Sequence, residues 1–488
     1  MARSSSDRDR FGSAGLADKK DDSQSLAGTS GGAIAIAEPG AWPAFVPRIK
    51  TFESLRFRDY RLLWLGQGGT SMGQWMDQVA RSWLVYRLTG SALQLGTVSA
   101  MRAIPMLFFG VIAGVVADRY GRKAQLIISQ VTNVILNLIL ATLVLTGQIR
   151  VWHIYVTALL AGTVMAFQQP ARQSLISDLV GREYLGNAVA LNSAIFNLTR
   201  SLGPAVAGAT IALIGVDGSY YAQAVLYAWA TLWTIQMRVP GEEGLLEMIR
   251  PKRIIGSSAE QAGDSTMPAG EVESRLARPA RSSSHSDDSF FGSLKEGFQY
   301  LLENHLIMSL MFLGLAPVLL GMPFSSLMPV FALDILNVGS VGQGFLLASV
   351  GVGALIGALG IASIGSFRRK GMLLLGGATM FGVSLIAFAQ STWMPLSLFC
   401  LFIAGVSNTS YTSQDQTIIQ TLAPANLRGR VLSIYMLNRG LMPLGSLLAG
   451  ALADWLGAPW AVTIMGASCA MVALGVAFRT PQIRELEI

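Results

Sequence analysis

Long apolar stretches limit this chain more than any other feature of its sequence. A helix needs about 20 mostly apolar residues to cross a bilayer, and twelve stretches of this kind are present. They lie near residues 62–86, 93–116, 124–146, 152–174, 188–214, 218–237, 306–332, 341–365, 371–391, 394–416, 431–455 and 459–478. A soluble protein with so many apolar stretches would aggregate. The sequence therefore predicts an all-α membrane protein with twelve transmembrane helices and argues against a soluble enzyme, a secreted disulfide scaffold or a nucleic-acid-binding domain.

Charged residues are few and unevenly placed. They make up 13% of the 488 residues, and more than half of them lie in residues 1–60 and 238–303. With the N-terminus inside the cell, 30 of the 36 Lys and Arg residues fall on the cytoplasmic side, two on the outer side and four inside helices. Because positive residues collect on the cytoplasmic side, we predict that both termini are cytoplasmic. No cleavable signal peptide is visible, and the pattern is typical of a bacterial inner membrane protein.

The chain divides into two similar halves. At an offset of 243 residues, the fourth and tenth spans share identities such as Gly162/Gly405 and Gln173/Gln416. This repeat predicts two pseudo-symmetric six-helix bundles, the architecture of one large class of transporters. The predicted segments are a disordered cytoplasmic tail (1–55), the first bundle (56–237), a cytoplasmic loop ending in a short amphipathic helix (238–303), the second bundle (304–478) and a cytoplasmic tail (479–488).

A motif between the second and third spans indicates a family. The sequence GVVADRYGRK (114–123) resembles the loop motif G-x-x-x-D-R-x-G-R-[RK] of the major facilitator superfamily. Five further stretches resemble its enterobactin-exporter-like "transmembrane secretion effector" branch: FRDYRLLWLGQ (57–67), SWLVYRLTGSALQLG (82–96), PARQSLISDLV (170–180), NAVALNSAIFNLTRSLGPAVAG (187–208) and LRGRVLSIYMLNRGLMPLGSLLAG (427–450). The resemblance implies a two-bundle transporter with alternating access. It also implies export of siderophores, macrolides or other amphiphiles, driven by the proton gradient.

The chain departs from the family pattern in three places. The second copy of the loop motif has Ser363 near where an Asp would stand, and the fourth span lacks the Arg of the drug/proton antiporter motif. The fifth span has GPAVAG where many antiporters have GPxxGG. These differences weaken the expectation of a proton-coupled drug antiporter, although they leave the resemblance to the superfamily intact.

The residues of the loop motif have separate expected roles. Gly114 and Gly121 allow close helix approach and a turn. By the resemblance, the second span packs against the eleventh, so Asp118 would face the N-terminus of that helix and latch the inner ends of the bundles together. The basic residues would add salt bridges and head-group contacts, or would only hold the loop in the cytoplasm. They are Arg119, Arg122 and Lys123.

The first span carries one polar stripe on an otherwise apolar helix, and this stripe should face a central cavity. Its residues are Gln67, Ser71, Gln74, Asp77 and Arg81. Asp77 and Arg102 lie at similar depths in neighbouring spans. The sequence therefore predicts an Asp77–Arg102 pair, with Arg81 as the competing partner. A charge in the bilayer centre costs roughly 3 kcal/mol even on mild scales. The group of Gln74, Asp77, Arg81 and Arg102 is thus either a proton or substrate site or a structural ion pair.

Arg172 and Asp415 occupy repeat-related positions of opposite charge near the inner ends of the fourth and tenth spans. We predict that they form a salt bridge between the bundles as an inner gate. The alternative is that they are two solvated helix ends. Polar residues on the same two spans can bind polar groups of a substrate. They are Gln168, Gln169, Asn408, Tyr411 and Thr412.

The fifth and eleventh spans contain residues typical of close helix contacts and bends. They are Arg200, Gly203, Pro204 and Gly208 in the fifth span, and Arg439 and Pro443 in the eleventh. Four arginines lie inside spans, at positions 81, 102, 200 and 439, against the single deep carboxylate of Asp77. A cavity with this positive balance favours an anionic or neutral, oxygen-rich ligand.

The sequence contains no residue pattern of an enzyme. Its three histidines are scattered, and it has no HExxH, CxxC or phosphate-binding loop. Cys400 and Cys469 lie in apolar runs and are expected to be packing residues. We therefore predict a proton-coupled exporter of an anionic or neutral amphiphile, such as a siderophore-like metabolite or a macrolide, without metal or cofactor. Its expected partners are the substrate, protons and the lipid bilayer, not nucleic acid, and a monomer is expected. The alternatives are an importer, a uniporter, or a receptor or scaffold that does not transport.

Overall fold

The structure is a computed structural model that describes residues 50–119, 121–239, 298–364, 370–424 and 427–484. The predicted disordered tail and most of the predicted central loop lie outside these residues. Residues 298–303, at the end of that loop, are helical. No β-strand occurs in the described residues, in agreement with the predicted all-α fold.

The first half consists of long helices: α1 (Arg58–Thr89), α2 (Ala92–Arg119), α3 (Arg122–Leu145), α4 (Val151–Leu179) and α5 (Leu185–Gln236). Helix α1 ends at Gly90, which has φ of +62° and donates its N–H to the carbonyl of Tyr86. Glycine takes this left-handed conformation without a steric cost, which is why helices commonly end at it. A second glycine, Gly215 with φ of +81°, interrupts α5. The break divides α5 into the fifth and sixth predicted spans.

The second half contains helices with more irregular turns. Helix α6 (His305–Ala316) begins after Asn304, whose side chain accepts the N–H of Ile307, and it continues through π and 3-10 turns to Ile335. Prolines at 317, 323 and 329 interrupt the α-helical hydrogen bonds in this stretch because proline has no N–H. The remaining helices are α7 (Gly339–Ile364), α8 (Lys370–Ala389), α9 (Met394–Leu422), α10 (Arg428–Asn438), α11 (Met442–Leu456) and α12 (Ala458–Arg479).

Nine helices among the described residues are long and apolar enough to cross a membrane. Three more spans follow from the geometry. Helix α1 is long enough but carries the polar stripe. Helix α5 contains two spans, and the eleventh span is divided into α10 and α11 by a 3-10 turn at Arg439–Leu441. The twelve predicted spans are therefore all present as helices.

The helices pack as two halves with repeated contacts. In the first half α1 lies against α5, and α4 against α2; in the second half α9 lies against α7 and α8, and α8 against α12. The repeat is visible at single residues. A Cβ atom on Gly162 would lie 2.0 Å from the carbonyl oxygen of Arg102, and one on Gly405 would lie 2.2 Å from that of Val350. The predicted identity of Gly162 and Gly405 thus corresponds to the same close helix contact in both halves.

Two helix pairs join the halves: α2 with α11, and α5 with α7. The pairing of α2 with α11 is the one that the family resemblance implies for the second and eleventh spans. Both pairs depend on glycines, whose lack of a side chain lets the two backbones come into contact. A Cβ atom on Gly96 would lie 2.3 Å from the carbonyl oxygen of Ser446, and one on Gly208 would lie 2.4 Å from that of Ser340. Close backbone contact of this kind is a common way for membrane helices to pack.

Polar contacts also connect the halves where α1 ends and α2 begins. The carboxylate of Asp454 accepts hydrogen bonds from the Ser91 hydroxyl at 2.7 Å and the Ala92 N–H at 2.6 Å. An acceptor at the start of α2 satisfies an N–H that has no partner within the helix. Tyr86 donates its hydroxyl hydrogen to Asp334. We call the contacts around these five residues the α1–α2 seam.

Candidate functional site

The polar stripe of α1 faces the interior of the first half. Gln67, Ser71, Asp77 and Arg81 are all buried, and α1 packs against α5 and α4. Gln67 donates to the Ser71 hydroxyl at 2.6 Å. A polar stripe buried among helices instead of facing lipid requires partners on those helices.

Asp77 lies between two arginines. Its Oδ1 atom is 2.8 Å from Arg81 Nη2, and its Oδ2 atom is 2.8 Å from Arg102 Nη1. Arg81 also donates through Nη1 to the Thr157 hydroxyl at 2.8 Å. Arg81 and Arg102, which were alternative partners in the sequence-based prediction, therefore both bind the carboxylate and do not compete for it. We call Asp77, Arg81 and Arg102 the charged triad.

The charged triad has one negative and two positive groups. The carboxylate and the Arg81 guanidinium are almost fully buried, whereas the Arg102 side chain is 23% exposed. Charge-assisted hydrogen bonds from two guanidiniums compensate a buried carboxylate well. Arg102 is therefore the more accessible of the two positive groups.

A small cavity adjoins the charged triad. Three of the residues that line it were not predicted from the sequence. Asn133 and Asn137 on α3 and Tyr227 on α5 lie on its wall, together with Gln74. The available signal was the spacing of the two asparagines, four residues apart on an apolar helix, which puts both on one face. The side-chain oxygen of Asn137 is buried and makes no hydrogen bond. It is an acceptor available to a water molecule or to a ligand donor.

Gln168 also belongs to the interior of the first half. Its side-chain oxygen accepts from Gln74 at 3.1 Å, which connects α4 to the polar stripe of α1. Its neighbour Gln169 is half-buried. Among the predicted cavity residues of the second half, Thr412 is half-buried and Asn408 is buried. Tyr411 packs against Gly377 and, at 6.0 Å between ring centroids, against Phe381, so its ring is part of the core of the second half.

Arg172 and Asp415 are not paired in this structure. Arg172 donates to the Thr70 hydroxyl of its own half at 3.0 Å. Asp415 lies against Gly314 and Tyr435 of its own half. The alternative of two solvated helix ends is wrong, because Arg172 is 4% exposed and Asp415 is fully buried.

The loop motif differs from expectation at its glycines. Gly121 precedes α3 with φ of −60°, so the turn does not need a left-handed residue, and no atom of the described residues lies within 4 Å of a Cβ placed on Gly114. Arg122 forms an ion pair of 2.5 Å with Asp178. Lys123 is buried and does not extend to the surface. The side chains of Asp118 and Arg119 lie outside the described residues.

The predicted helix-contact residues of α5 touch both halves. Gly203 lies against the Cβ atom of Trp75, and the Arg200 guanidinium lies 5.8 Å from the centroid of the Trp75 ring. Pro204 and Gly208 lie beside Gly344 of α7. Pro443 is buried at the start of α11. The side chain of Arg439 is outside the described part of the chain.

Metal ligands are not grouped in the described part of the chain. No cluster of three or more His, Cys, Asp or Glu residues that could hold a metal ion occurs there. Cys400 and Cys469 are both buried free thiols, and the Cys469 thiol lies 3.7 Å from the carbonyl oxygen of Ala316. Their burial among helices agrees with the expected packing role.

Comparisons with known proteins agree with the two-bundle fold. A family model described as "Transmembrane secretion effector" matches residues 49–250 and 272–488. The chain is 25% identical to the staphyloferrin A transporter of Staphylococcus aureus, over 81% of this chain and 90% of that protein. It is 27% identical to the multidrug efflux pump Tap of Mycolicibacterium fortuitum, over 85% and 94% of the two chains. It is 23% identical to macrolide efflux protein A of Streptococcus pyogenes, over 81% and 89%.

Solved structures show the same fold. The crystal structure of a POT family transporter in complex with a thioalcohol-conjugated peptide superimposes with a TM-score of 0.65, covering 89% of this chain and 99% of that one. The identity is 12%, so the similarity concerns the fold alone. It confirms the predicted twelve-helix, two-bundle architecture.

Proposed function

This chain belongs to the transmembrane secretion effector family of the major facilitator superfamily, and from that membership we propose that it is a proton-coupled exporter of an anionic or neutral amphiphile. The members to which it is similar are transporters, and this chain is a multi-pass membrane transporter of small molecules. Within that class, the proposal concerns the substrate, the direction of transport and the energy source. We place the protein in a bacterial inner membrane with both termini in the cytoplasm, so that the α1–α2 seam lies on the outer side.

The proposed substrate class is based on the charged triad. Two guanidiniums share one carboxylate, and the more exposed of them is Arg102. An anionic or oxygen-rich group of a substrate can take the place of Asp77 at Arg102, while Arg81 keeps the carboxylate neutralised. A lipophilic cation meets the excess positive charge and is disfavoured there. The charged triad therefore acts as the substrate site, and Gln74 supplies a polar neighbour.

The names of the relatives support the proposed direction of transport. One is named as a transporter of staphyloferrin A, one as a multidrug efflux pump and one as a macrolide efflux protein. Two of the three names therefore state efflux. For export by alternating access, the α1–α2 seam would open after substrate has bound from the cytoplasmic side, because its hydrogen bonds join the two halves at the outer end.

Transport into proteoliposomes tests the proposal. Purified protein is reconstituted, a pH gradient is imposed, and accumulation of staphyloferrin A, erythromycin and ethidium is measured. We expect the largest gradient-driven accumulation for staphyloferrin A, which is an anion. We expect less for erythromycin, whose amine is protonated at neutral pH, and for ethidium, which is a permanent cation. Arg102→Gln should weaken binding of an anionic substrate by about tenfold, since a hydrogen bond to a charged group contributes roughly 1.5 kcal/mol or more.

Arg87→Gln is the matched control, because Arg87 is exposed at the end of α1 and outside the charged triad. It should transport as the unaltered protein does. Preferred accumulation of ethidium would contradict the substrate class, and accumulation that does not depend on the pH gradient would point to a uniporter.

A further inference from the structure

Asp415 has a fully buried carboxyl group that takes no part in the proposed substrate site. It lies on α9, and helices from two other parts of the second half converge on it. A Cβ atom added to Gly314 of α6 would lie 2.5 Å from Asp415 Oδ2 and 2.9 Å from the ring of Tyr435, which is on α10. Any larger residue at 314 would fill this space, so the site is closely shaped around the carboxyl group.

No cation compensates this carboxyl group in the described part of the chain. Neither oxygen makes a hydrogen bond of good geometry, but the Tyr435 hydroxyl lies close enough to act as a donor to the carboxyl group. No Lys, Arg or His side chain of the described residues makes a hydrogen bond to either oxygen. The helices that pack against α9 carry few ionisable residues, and α7 has none. They are His305 on α6 with Asp334 in its continuation, Lys370 on α8, and Arg428, Arg430 and Tyr435 on α10, with Cys400 and Tyr411 on α9 itself.

The positively charged residues are at the helix ends. Along the helix axes, His305 is about 14 Å from Gly314, and Arg430 is about 8 Å from Tyr435, at 1.5 Å per residue. Lys370 is the first residue of α8, and Gly371 beside it packs against Ile483. The side chain of Arg439 lies outside the described residues. Among the described residues, Tyr435 is the ionisable group placed against Asp415, in contrast to Asp77 with its two guanidiniums.

We propose that Asp415 is the proton-binding site through which this transporter uses the proton gradient. An uncompensated carboxylate is too costly to bury in a membrane protein interior, so the closed arrangement of α6, α9 and α10 accepts only the neutral acid. An O–H bond forms at one carboxylate oxygen with a proton from water, and it breaks again to water when the site opens. No electron transfer is involved. This inference rests on the proposed proton-coupled transport and names the residue that couples it.

The surrounding helices give the proton a way to act on the conformation. Helix α10 ends at the 3-10 turn Arg439–Leu441, and α6 leads into the irregular turns from Pro317. Breaks in helices are places where one part of a span can move relative to the other. Loss of the proton leaves a carboxylate that must be hydrated, which requires α10 or α6 to separate from α9. Proton release is therefore linked to opening of the second half.

Infrared difference spectroscopy tests the protonation directly. Reconstituted protein is compared in the closed and substrate-bound states at neutral pH, and the carbonyl stretch of a protonated carboxylic acid is followed. We expect this band in the unaltered protein and in Asp77→Asn, and its loss in Asp415→Asn. Asp217→Asn, near the break in α5, is a further control and should keep the band. A band that survives in Asp415→Asn would overturn the inference.

Gradient-driven transport tests the coupling. A pH gradient of two units coupled to one proton supports about a hundredfold accumulation, because each unit is a tenfold ratio of proton activity. Asp415→Asn should reduce the accumulation ratio to about one, and Asp217→Asn should retain it. Retained accumulation in Asp415→Asn would also overturn the inference. If the unaltered protein shows no gradient-driven transport, the proposed function fails, and the infrared band still reports whether Asp415 holds a proton.

Discussion

The two halves of this transporter share a backbone but differ in how they treat buried charge. In the first half, Asp77 is enclosed by the guanidiniums of Arg81 and Arg102 in a polar interior with buried amides. In the second half, Asp415 lies in a mostly apolar interior with no described cation near it. A duplicated fold can thus keep its helix contacts while its halves take different chemical tasks. We propose substrate recognition for the first and proton binding for the second.

The largest expected effect is a difference in protein stability between variants of the two carboxylates. Asp77→Asn should lower the free energy of unfolding by about 3–5 kcal/mol, because it leaves the buried Arg81 and the partly exposed Arg102 without their counter-charge. Asp415→Asn should change it by only about 0.5 kcal/mol, because the neutral acid and the amide have nearly the same shape and charge. Thermal or denaturant unfolding in detergent measures both. Equal losses in the two variants would mean that the carboxylates are in similar environments.

The shared backbone predicts equal effects at repeat-related glycines. Gly162→Ala and Gly405→Ala should each destabilise the protein by about 1–3 kcal/mol, because each new methyl group would overlap a carbonyl oxygen of the neighbouring helix. Gly376→Ala on α8 is the control, since nothing lies near a Cβ at that position. It should be neutral or stabilising because alanine favours helix. The unfolding midpoints of the three variants measure these effects. Destabilisation at only one of the two repeat-related positions would contradict the prediction that both halves make the same contact.

A smaller effect concerns the contacts between the halves. Asp454→Ala removes the acceptor for the Ser91 hydroxyl and the Ala92 N–H, and loss of such a cap costs about 1 kcal/mol. This corresponds to roughly fivefold more opening at the α1–α2 seam. Hydrogen exchange of the amides at the start of α2 measures it. Asp217→Ala is outside the seam and should leave these amides unchanged, and an unchanged rate in Asp454→Ala would show that the seam does not depend on this carboxylate.

The smallest effect is expected for an ion pair near the surface. Arg122→Gln breaks the contact with Asp178, in which both side chains are partly exposed. Pairs of this kind contribute about 0.2–1 kcal/mol, and salt screens them. Unfolding at low and high salt measures the difference, which should shrink as salt is added. A loss as large as that of Asp77→Asn would mean that partial exposure does not weaken the pair and would remove the contrast with the charged triad.

Much of the site was predictable from spacing along single helices. The polar stripe of α1 was visible because residues three or four apart share one face, and the matching depth of Asp77 and Arg102 indicated their pairing. The sequence could not show that Arg81 and Arg102 bind the same carboxylate, because the directions of their side chains depend on how α1, α2 and α4 pack. The wall formed by Asn133 and Asn137 was missed for the same reason.

The pairing of Arg172 with Asp415 was expected from repeat symmetry, and the structure does not contain it. Symmetry makes the two positions equivalent within their halves, and each side chain turns to the interior of its own half. Tyr411 follows the same rule and packs against Phe381. Equivalent positions in a repeat predict equivalent surroundings, whereas contact between the halves depends on how the halves are placed.

The sequence by itself determined the twelve membrane helices, their division into two halves and the family, because hydrophobic length, charge placement and local motifs act within short segments. The tertiary structure decided which charges are compensated. In the sequence, each of Asp77 and Asp415 has a possible arginine partner, Arg102 and Arg172, with nothing to tell a real pair from a false one. Only the packing of helices distant in the chain brings two guanidiniums to Asp77 and places Asp415 beside Gly314 and Tyr435, and electrostatic energy in a low-dielectric interior depends on those few neighbours.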